Sequence, residues 1–323
     1  MKALKMLAAA GALALAATPF LASPAWAADS GSCAGQGRAI LTILPRKGGE
    51  GQVNLQTRDF DVHVNGKQST VTAFHPLRGE NSPLELVILI DSAARSSFGT
   101  QMGEIQSFVK EMPSHTRVAI AYMQNGQAVF TGPLSDDPAQ VLKGLRLTGG
   151  VPGQSGSPYF CLSDLAKRWP STDKTARREV VMITDGVDNY SPRFDPEDPY
   201  VNSAINDSVR AGLVVYSIYW KDTGRFDRFE GAQDAGQNNL QEVTQATGGY
   251  AYFQGYGNPV SFESYFKDLR LRFDNQYRLG FSSNLKGRPE VASLKLKVGG
   301  PAAKITAPQQ VFVTPAGSEE TGD

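Results

Sequence analysis

Chemistry-bearing side chains are scarce in this chain: its 323 residues include two cysteines and three histidines. Two cysteines are too few for a disulfide framework or a four-cysteine zinc site, so Cys33 and Cys161 form either one bridge or two free thiols. The composition leaves both open, since Cys161 also suits a small buried residue on a helix. His63 falls in an expected strand, His75 precedes Pro76 and His115 lies in a loop, none with the spacing of a catalytic base or a zinc ligand. An excess of one charge is missing too, with 32 basic against 32 acidic residues, which removes any general electrostatic pull toward nucleic acid or an anionic membrane. Beyond the amino terminus no apolar run approaches the roughly 20 residues that span a bilayer. No Gly-x-Gly-x-x-Gly follows the first strand of the α/β pattern, no Gly-Lys-Ser/Thr loop occurs, and no Gly-x-Ser-x-Gly elbow joins a strand to a helix. The expectation is a protein that is not an enzyme and needs no cofactor.

What is present begins with a secretory leader over residues 1–27. Lys2 and Lys5 precede an apolar run from Met6 to Ala17, and Ala25-Trp26-Ala27 supplies a small-x-small cut after Ala27. This predicts a periplasmic or secreted protein. Cys33 lies six residues past that cut, too far for a lipoprotein anchor. A hydrophobic content of 41% supports one large core and a smaller one.

Residues 28–37 are rich in Gly and Ser and read as a mobile start. Strands are expected at 39–44, 60–64 and 69–74, the last two joined by a turn at Asn65-Gly66, since this pair tolerates positive φ. From residue 84 apolar strands alternate with helical segments, the pattern of a doubly wound parallel sheet. Strands are expected at 85–91, 117–123, 127–130, 179–184, 212–219 and 250–253. Helices are expected near 98–112, 137–146, 158–169, 199–211, 236–247 and 259–274. Asn125-Gly126 makes the third strand an antiparallel edge. Three further strands at 277–282, 291–298 and 311–313 have no helices between them. Three-strand pieces are too small to stand alone, so the segment 276–314 is expected to pair with 38–76. The fold class is therefore α/β: a mostly parallel six-stranded sheet over 84–275, inserted in a small β-sandwich built from the flanking segments 28–83 and 276–314. The polar tail 315–323 reads as disordered.

Two strands end on acids. Leu86 to Ile90 delivers Asp91, and Val180 to Thr184 delivers Asp185-Gly186, at the sheet edge where open α/β sheets bind ligands. These stretches resemble the two acidic corners of a von Willebrand factor A domain. Thr57 to Val62 followed by Asn65-Gly66-Lys67 is similar to a segment that secreted bacterial relatives carry before the domain. Leu240 to Tyr250 is similar to the family's last helix-to-strand passage. The resemblance spans nearly all of residues 28–323 and implies a Rossmann-like fold and a divalent-cation site. In that family the first acid continues as Asp-x-Ser-x-Ser, but here the serine positions hold Ala93 and Arg95. The site is thus a depleted one, with Asp91, Ser157 and Asp185 as its residual ligands and no metal expected in it.

A guanidinium about 4 Å from a divalent cation would repel it by several kcal/mol at an effective dielectric near 20. Arg95 itself is expected either to bridge Asp91 and Asp185 or to turn to solvent while Asp91 caps the next helix. Ser157, ahead of Pro158, is read first as an ordinary helix cap and only second as a residual ligand. Arg95, Asp188, Asn189 and Tyr190 are the candidate partner-binding residues, because loops on a rigid scaffold commonly carry recognition. The expected function is an extracytoplasmic protein-interaction module. The alternatives are a module that uses Mg²⁺ or Ca²⁺ to bind its protein partner, and a structural subunit of an envelope assembly.

Overall fold

The computed structural model describes residues 35–45, 55–79, 82–151, 153–222, 226, 229, 231–283, 288–299 and 303–315. The expected leader, Cys33 and the tail beyond residue 315 lie outside the described residues. The chain opens with β1 (Gly35–Pro45), β2 (Phe60–Val64), β3 (Lys67–Ser69) and β4 (Val71–Pro76). The α/β region follows: β5 (Leu84–Asp91), α1 (Met102–Lys110), β6 (Thr116–Gln124), β7 (Gln127–Phe130), α2 (Pro138–Leu142), α3 (Pro158–Lys167) and β8 (Arg177–Thr184). It continues through α4 (Pro199–Arg210), β9 (Leu213–Tyr219), α5 (Ala232–Thr247), β10 (Ala251–Tyr252) and α6 (Glu263–Asp274). Four strands close the chain: β11 (Gln276–Ser283), β12 (Glu290–Val298), β13 (Ala303–Thr306) and β14 (Gln310–Thr314).

The six-stranded sheet has the order β10-β9-β8-β5-β6-β7. All neighbours are parallel except β7, which returns against β6. That return is made by Asn125 and Gly126 at φ 49° and 74°, the doubly positive pair of a two-residue hairpin. β5 sits at the centre, and all eight of its residues are buried. Its alternate side chains serve two cores, because consecutive strand residues face opposite sides of a sheet. Leu86, Ile88 and Ile90 pack with Ile105 and Phe108 of α1 and with Phe266 and Leu269 of α6. Val87 and Leu89 pack with Leu162 of α3, Ile205 of α4 and Val243 of α5. Each such buried side chain contributes about 1.5–3 kcal/mol, which is why this strand reads as an unbroken apolar run.

The remaining strands form one eight-stranded antiparallel sheet, ordered β3-β2-β12-β14-β1-β11-β4 with β13 beside β1. Residues 67–69 pair with β2, whereas residues 71–76 pair with β11, so one stretch of chain touches both ends of this path. Leu41, Val62, Leu279, Phe281 and Val313 form its core. β4 and β11 are direct neighbours, with Phe74 opposite Leu279, and the α/β region leaves and re-enters between them. A buried polar link ties the two sheets: Arg177 Nη1 donates to Phe273 O (2.8 Å) and Gln276 Oε1 (2.6 Å), and Gln276 Nε2 donates to the Tyr216 hydroxyl (3.2 Å). Burial pushes the nearby Glu179 carboxyl up to about 8 against the opposing pull of Arg177. Its burial thus favours the neutral form.

The structure corrects several expectations. Residues 35–37 belong to β1 and are no mobile start. Glycine is required there, since a Cβ on Gly35 would lie 2.2 Å from Thr314 O and one on Gly37 2.3 Å from the Phe281 ring. The helix expected from residue 98 begins as a 3₁₀ turn over Ser96–Gln101. α5 starts at Ala232, earlier than expected, behind Gly231 at φ 80°. β13 was not anticipated, because its four residues, Ala-Lys-Ile-Thr, carry too short an apolar pattern to stand out. Ile88→Ala in the α/β core and Leu279→Ala in the β core should each cost about 2–5 kcal/mol. Both should shift one common urea transition, measured by circular dichroism and tryptophan fluorescence. Two separate transitions would show that the sheets are not coupled as described.

Candidate functional site

Three parallel strands, β5, β8 and β9, deliver acids to one edge of the six-stranded sheet. Asp91 is the last residue of β5, Asp185 follows β8 and Asp222 lies just past β9. All three are buried. Asp91 Oδ1 accepts the Ala93 N–H (2.9 Å), and its Oδ2 accepts the Thr184 hydroxyl across the strand pair (2.7 Å). Asp185 repeats the pattern, with Oδ1 accepting the Val187 N–H (3.0 Å) and Oδ2 reached by the Asp222 N–H (3.4 Å). Each carboxylate thus folds the loop that follows it back onto the strand end.

The loops are then tied to one another. Ala94 and Asp222 form an isolated antiparallel bridge, Arg95 Nε donates to Asp222 O (2.9 Å), and the Thr148 hydroxyl donates to Ala94 O (2.8 Å). Asn189 donates from its side chain to Val187 O (3.2 Å) and to Asp222 Oδ2 (3.4 Å). The Tyr159 hydroxyl donates to Gly186 O (2.6 Å). Gly186, at φ 75°, packs directly against Gly236 of α5: a Cβ on the former would meet Gly236 O at 2.5 Å, and one on the latter Asp185 O at 2.3 Å. This close backbone approach is available only to glycine.

One expectation is corrected. Arg95 does not bridge the two acids: the oxygens of Asp91 are taken by Ala93 and Thr184, and Arg95 Nε is bonded to a carbonyl of the neighbouring loop. The reason is the short reach of Asp91, which bends back on its own loop before Arg95 branches outward. Ser157 is the cap of α3, accepting the Phe160 N–H at 3.5 Å, with Pro158 in the first turn. The hydroxyl near Asp91 belongs instead to Ser155, which favours the ionised carboxylate although its Oγ completes no hydrogen bond of normal geometry.

The sequence pattern alone does not mark Asp222 and Thr184 as site residues, yet both bond to the paired acids. Asp222 repeats the strand-then-acid signal, displaced from β9 by Trp220 and Lys221. Cys161 is a buried thiol whose Sγ lies 3.6 Å from Ser155 O, and burial raises its pKa well above the usual value.

Asp188 and Tyr190 face outward. Asp188 accepts the Tyr190 N–H (3.1 Å) and the Ser191 N–H (3.3 Å), which shapes the turn that presents Tyr190. The Tyr190 ring is 62% exposed and meets Phe160 edge-on, at a centroid distance of 5.1 Å. Asn189, by contrast, is buried and holds loops together.

The donor set does not fit a resident hard cation. Such an ion wants near-octahedral oxygen ligands, whereas positions 93 and 95 bring a methyl group and a guanidinium.

No family model matches this chain and no curated protein matches it. Among solved structures it is similar to an aerotolerance-related membrane protein from Bacteroides fragilis, with 15% identity over 59% of this chain and 98% of that one, TM-score 0.43. It is also similar to the pilus adhesin SpaC from Lactobacillus rhamnosus GG in its open conformation, with 8% identity over 82% of this chain and 48% of that one, TM-score 0.43. A third likeness is to the SpRpn10 VWA domain, with 11% identity over 58% of this chain and 95% of that one, TM-score 0.36. At such identities and scores these likenesses say nothing of function, and the α/β architecture stands on the strand order and the two cores.

Burial, and then the Asp185 charge, push the Asp91 carboxyl up to about 6 from an ordinary 3.8. The folded state therefore binds this proton more tightly than the unfolded chain does. Stability falls as pH rises from about 4 to about 6 and stays reduced above, by roughly 2–3 kcal/mol at 1.36 kcal/mol per unit. Asp91→Asn should remove this slope, measured as the difference between variant and wild-type urea midpoints across pH 4–8, and should be the more stable protein at pH 7. A variant that tracks the wild type in parallel would contradict the assignment.

Proposed function

We propose that the chain is an extracytoplasmic protein-interaction module that docks a partner on the carboxyl edge of its six-stranded sheet, without catalysis and without a bound cation. The exposed apolar ring at that edge carries this reading. Among the described residues, seven of the ten exposed large apolar side chains lie on its loops: Leu147, Val151, Tyr190, Phe229, Phe253, Tyr256 and Val260. Val260 is 94% exposed. Single exposed apolar residues are ordinary, but a cluster around one edge marks an interaction surface.

The acids at the centre are buried and bonded to their own loops, so a substrate would not reach them. Their part is to fix the loops, and recognition falls to the outward side chains. Tyr190, set on Phe160 and Tyr200 at centroid distances of 5.1 and 6.4 Å, is a well-supported aromatic anchor. The leader-like amino terminus supports a location outside the cytoplasm.

A photo-crosslinking residue at position 190 or 260 should capture one defined partner from an envelope fraction, with or without chelator. The same residue at position 67, on the antiparallel sheet, should not. Tyr190→Ala should weaken binding of that partner about tenfold or more. Capture that disappears with chelator would favour the cation-dependent alternative, and capture from position 67 alone would place the interface elsewhere.

A further inference from the structure

The outer face of the antiparallel sheet gathers positive charge where β1, β11 and β14 approach α4 and the loop before β8. Gly37 and Val313 pair across β1 and β14, and Val313 lies in the inner core, so the adjoining residues Arg38 and Phe312 belong to the outer face. Arg38 is exposed, and Arg278 of β11 stands diagonally across from it, opposite Ile40. Burial, and then Arg38 and Arg177, lower the Arg278 pKa, which shows that like charges stand close together here. Arg278 Nη2 donates to Thr175 O (3.2 Å), and this brings the exposed Lys174 into the same neighbourhood. Arg210, the last residue of α4, is also exposed and lies over the Phe312 ring, its guanidinium carbon 5.4 Å from the centroid.

The acids nearby are committed elsewhere. None of the ion pairs among the described residues involves Arg38, Lys174, Arg210 or Arg278. Asp207, one turn before Arg210, is paired with Lys167 at 2.9 Å. Asp173 is paired with Arg117 and accepts the Thr175 N–H. Glu290 stands opposite Val313, on the inner row, and accepts from Asn65 Nδ2. Four cations thus crowd one face of a chain whose basic and acidic residues are equal in number. An anionic partner relieves their mutual repulsion, and guanidinium forks match carboxylates.

The cations sit on four separate segments, with the partly buried Phe312 ring beside Arg38 and beneath Arg210. One small ion would not meet charges set apart in this way, whereas an extended chain can place successive carboxylates on them. We propose that this face binds an acidic polypeptide segment, whose carboxylates pair with Arg38, Arg210 and Arg278 around the Phe312 ring. The surface shares no residue with the loops that carry Tyr190 and does not depend on that edge being an interface.

Fluorescence anisotropy of a labelled oligoglutamate peptide, titrated with the intact protein at low and at physiological ionic strength, tests it. Binding should be saturable at low salt, weaken as salt is added, and be absent for an oligolysine of the same length. Arg38→Glu and Arg210→Glu should each weaken it about tenfold with unchanged circular dichroism spectra. If either reversal fails to fold, Arg38→Gln and Arg210→Gln decide, and each should weaken binding to a smaller degree. Lys67→Glu, the same reversal at the β3 end of the sheet, should leave affinity unchanged, as should Tyr190→Ala. An equal loss in Lys67→Glu would reduce the effect to overall charge and overturn the assignment. Absence of saturable oligoglutamate binding would overturn it too. Binding of phosphatidylglycerol vesicles in its place, lost in Arg38→Glu, would give the face to a membrane and contradict the proposal.

Discussion

Asp91 governs the architecture of the carboxyl edge. It ends the central strand, is 1% exposed, and divides its oxygens between the N–H of its own loop and the hydroxyl that ends the neighbouring strand. A buried carboxylate costs several kcal/mol unless it is hydrogen-bonded or neutralised. This protein meets that cost partly with the two donors and partly by making protonation easier. The neighbouring Asp185 works against it, and the repulsion between the two adds to the rise in the Asp91 pKa. Loop order at this edge is therefore maintained by protein donors. In this arrangement Arg95 acts as a strut to the Asp222 loop.

The exposed residues gain their setting from that internal order. A ring of apolar side chains on mobile loops would lose rotamer and backbone freedom on binding. Here the Asp91, Asp185 and Asp222 loops are cross-tied by backbone and side-chain bonds, and Asp188 shapes the turn that presents Tyr190. Preorganisation of this kind lowers the entropy lost when a partner docks. The opposite edge is built differently. There buried polar groups tie the two sheets to each other.

Much of the fold was legible because its strongest signals are local. β5 and β8 are buried on both faces and so read as continuous apolar runs, and the Asn-Gly pairs at 65–66 and 125–126 announce their hairpins through the positive φ they tolerate. Asp91 and Asp185 were visible as acids that end such strands. Where Arg95 points was not, because a long side chain chooses among acceptors that only the folded β9 loop brings near. Asp222 stayed hidden behind two intervening residues, and Ser155 and Ser157 were interchangeable until the start of α3 fixed Ser157 as its cap. The apolar ring was invisible for a related reason. Tyr, Phe and Val scattered through loops look like local packing until the topology gathers those loops on one side.

The central claim is that the acids order the carboxyl edge from within, with no divalent ion. Isothermal titration of the purified protein with Mg²⁺ and with Mn²⁺ addresses it most directly. The account predicts no saturable heat from either ion. A saturable isotherm from either, lost in Asp185→Ala, would contradict it.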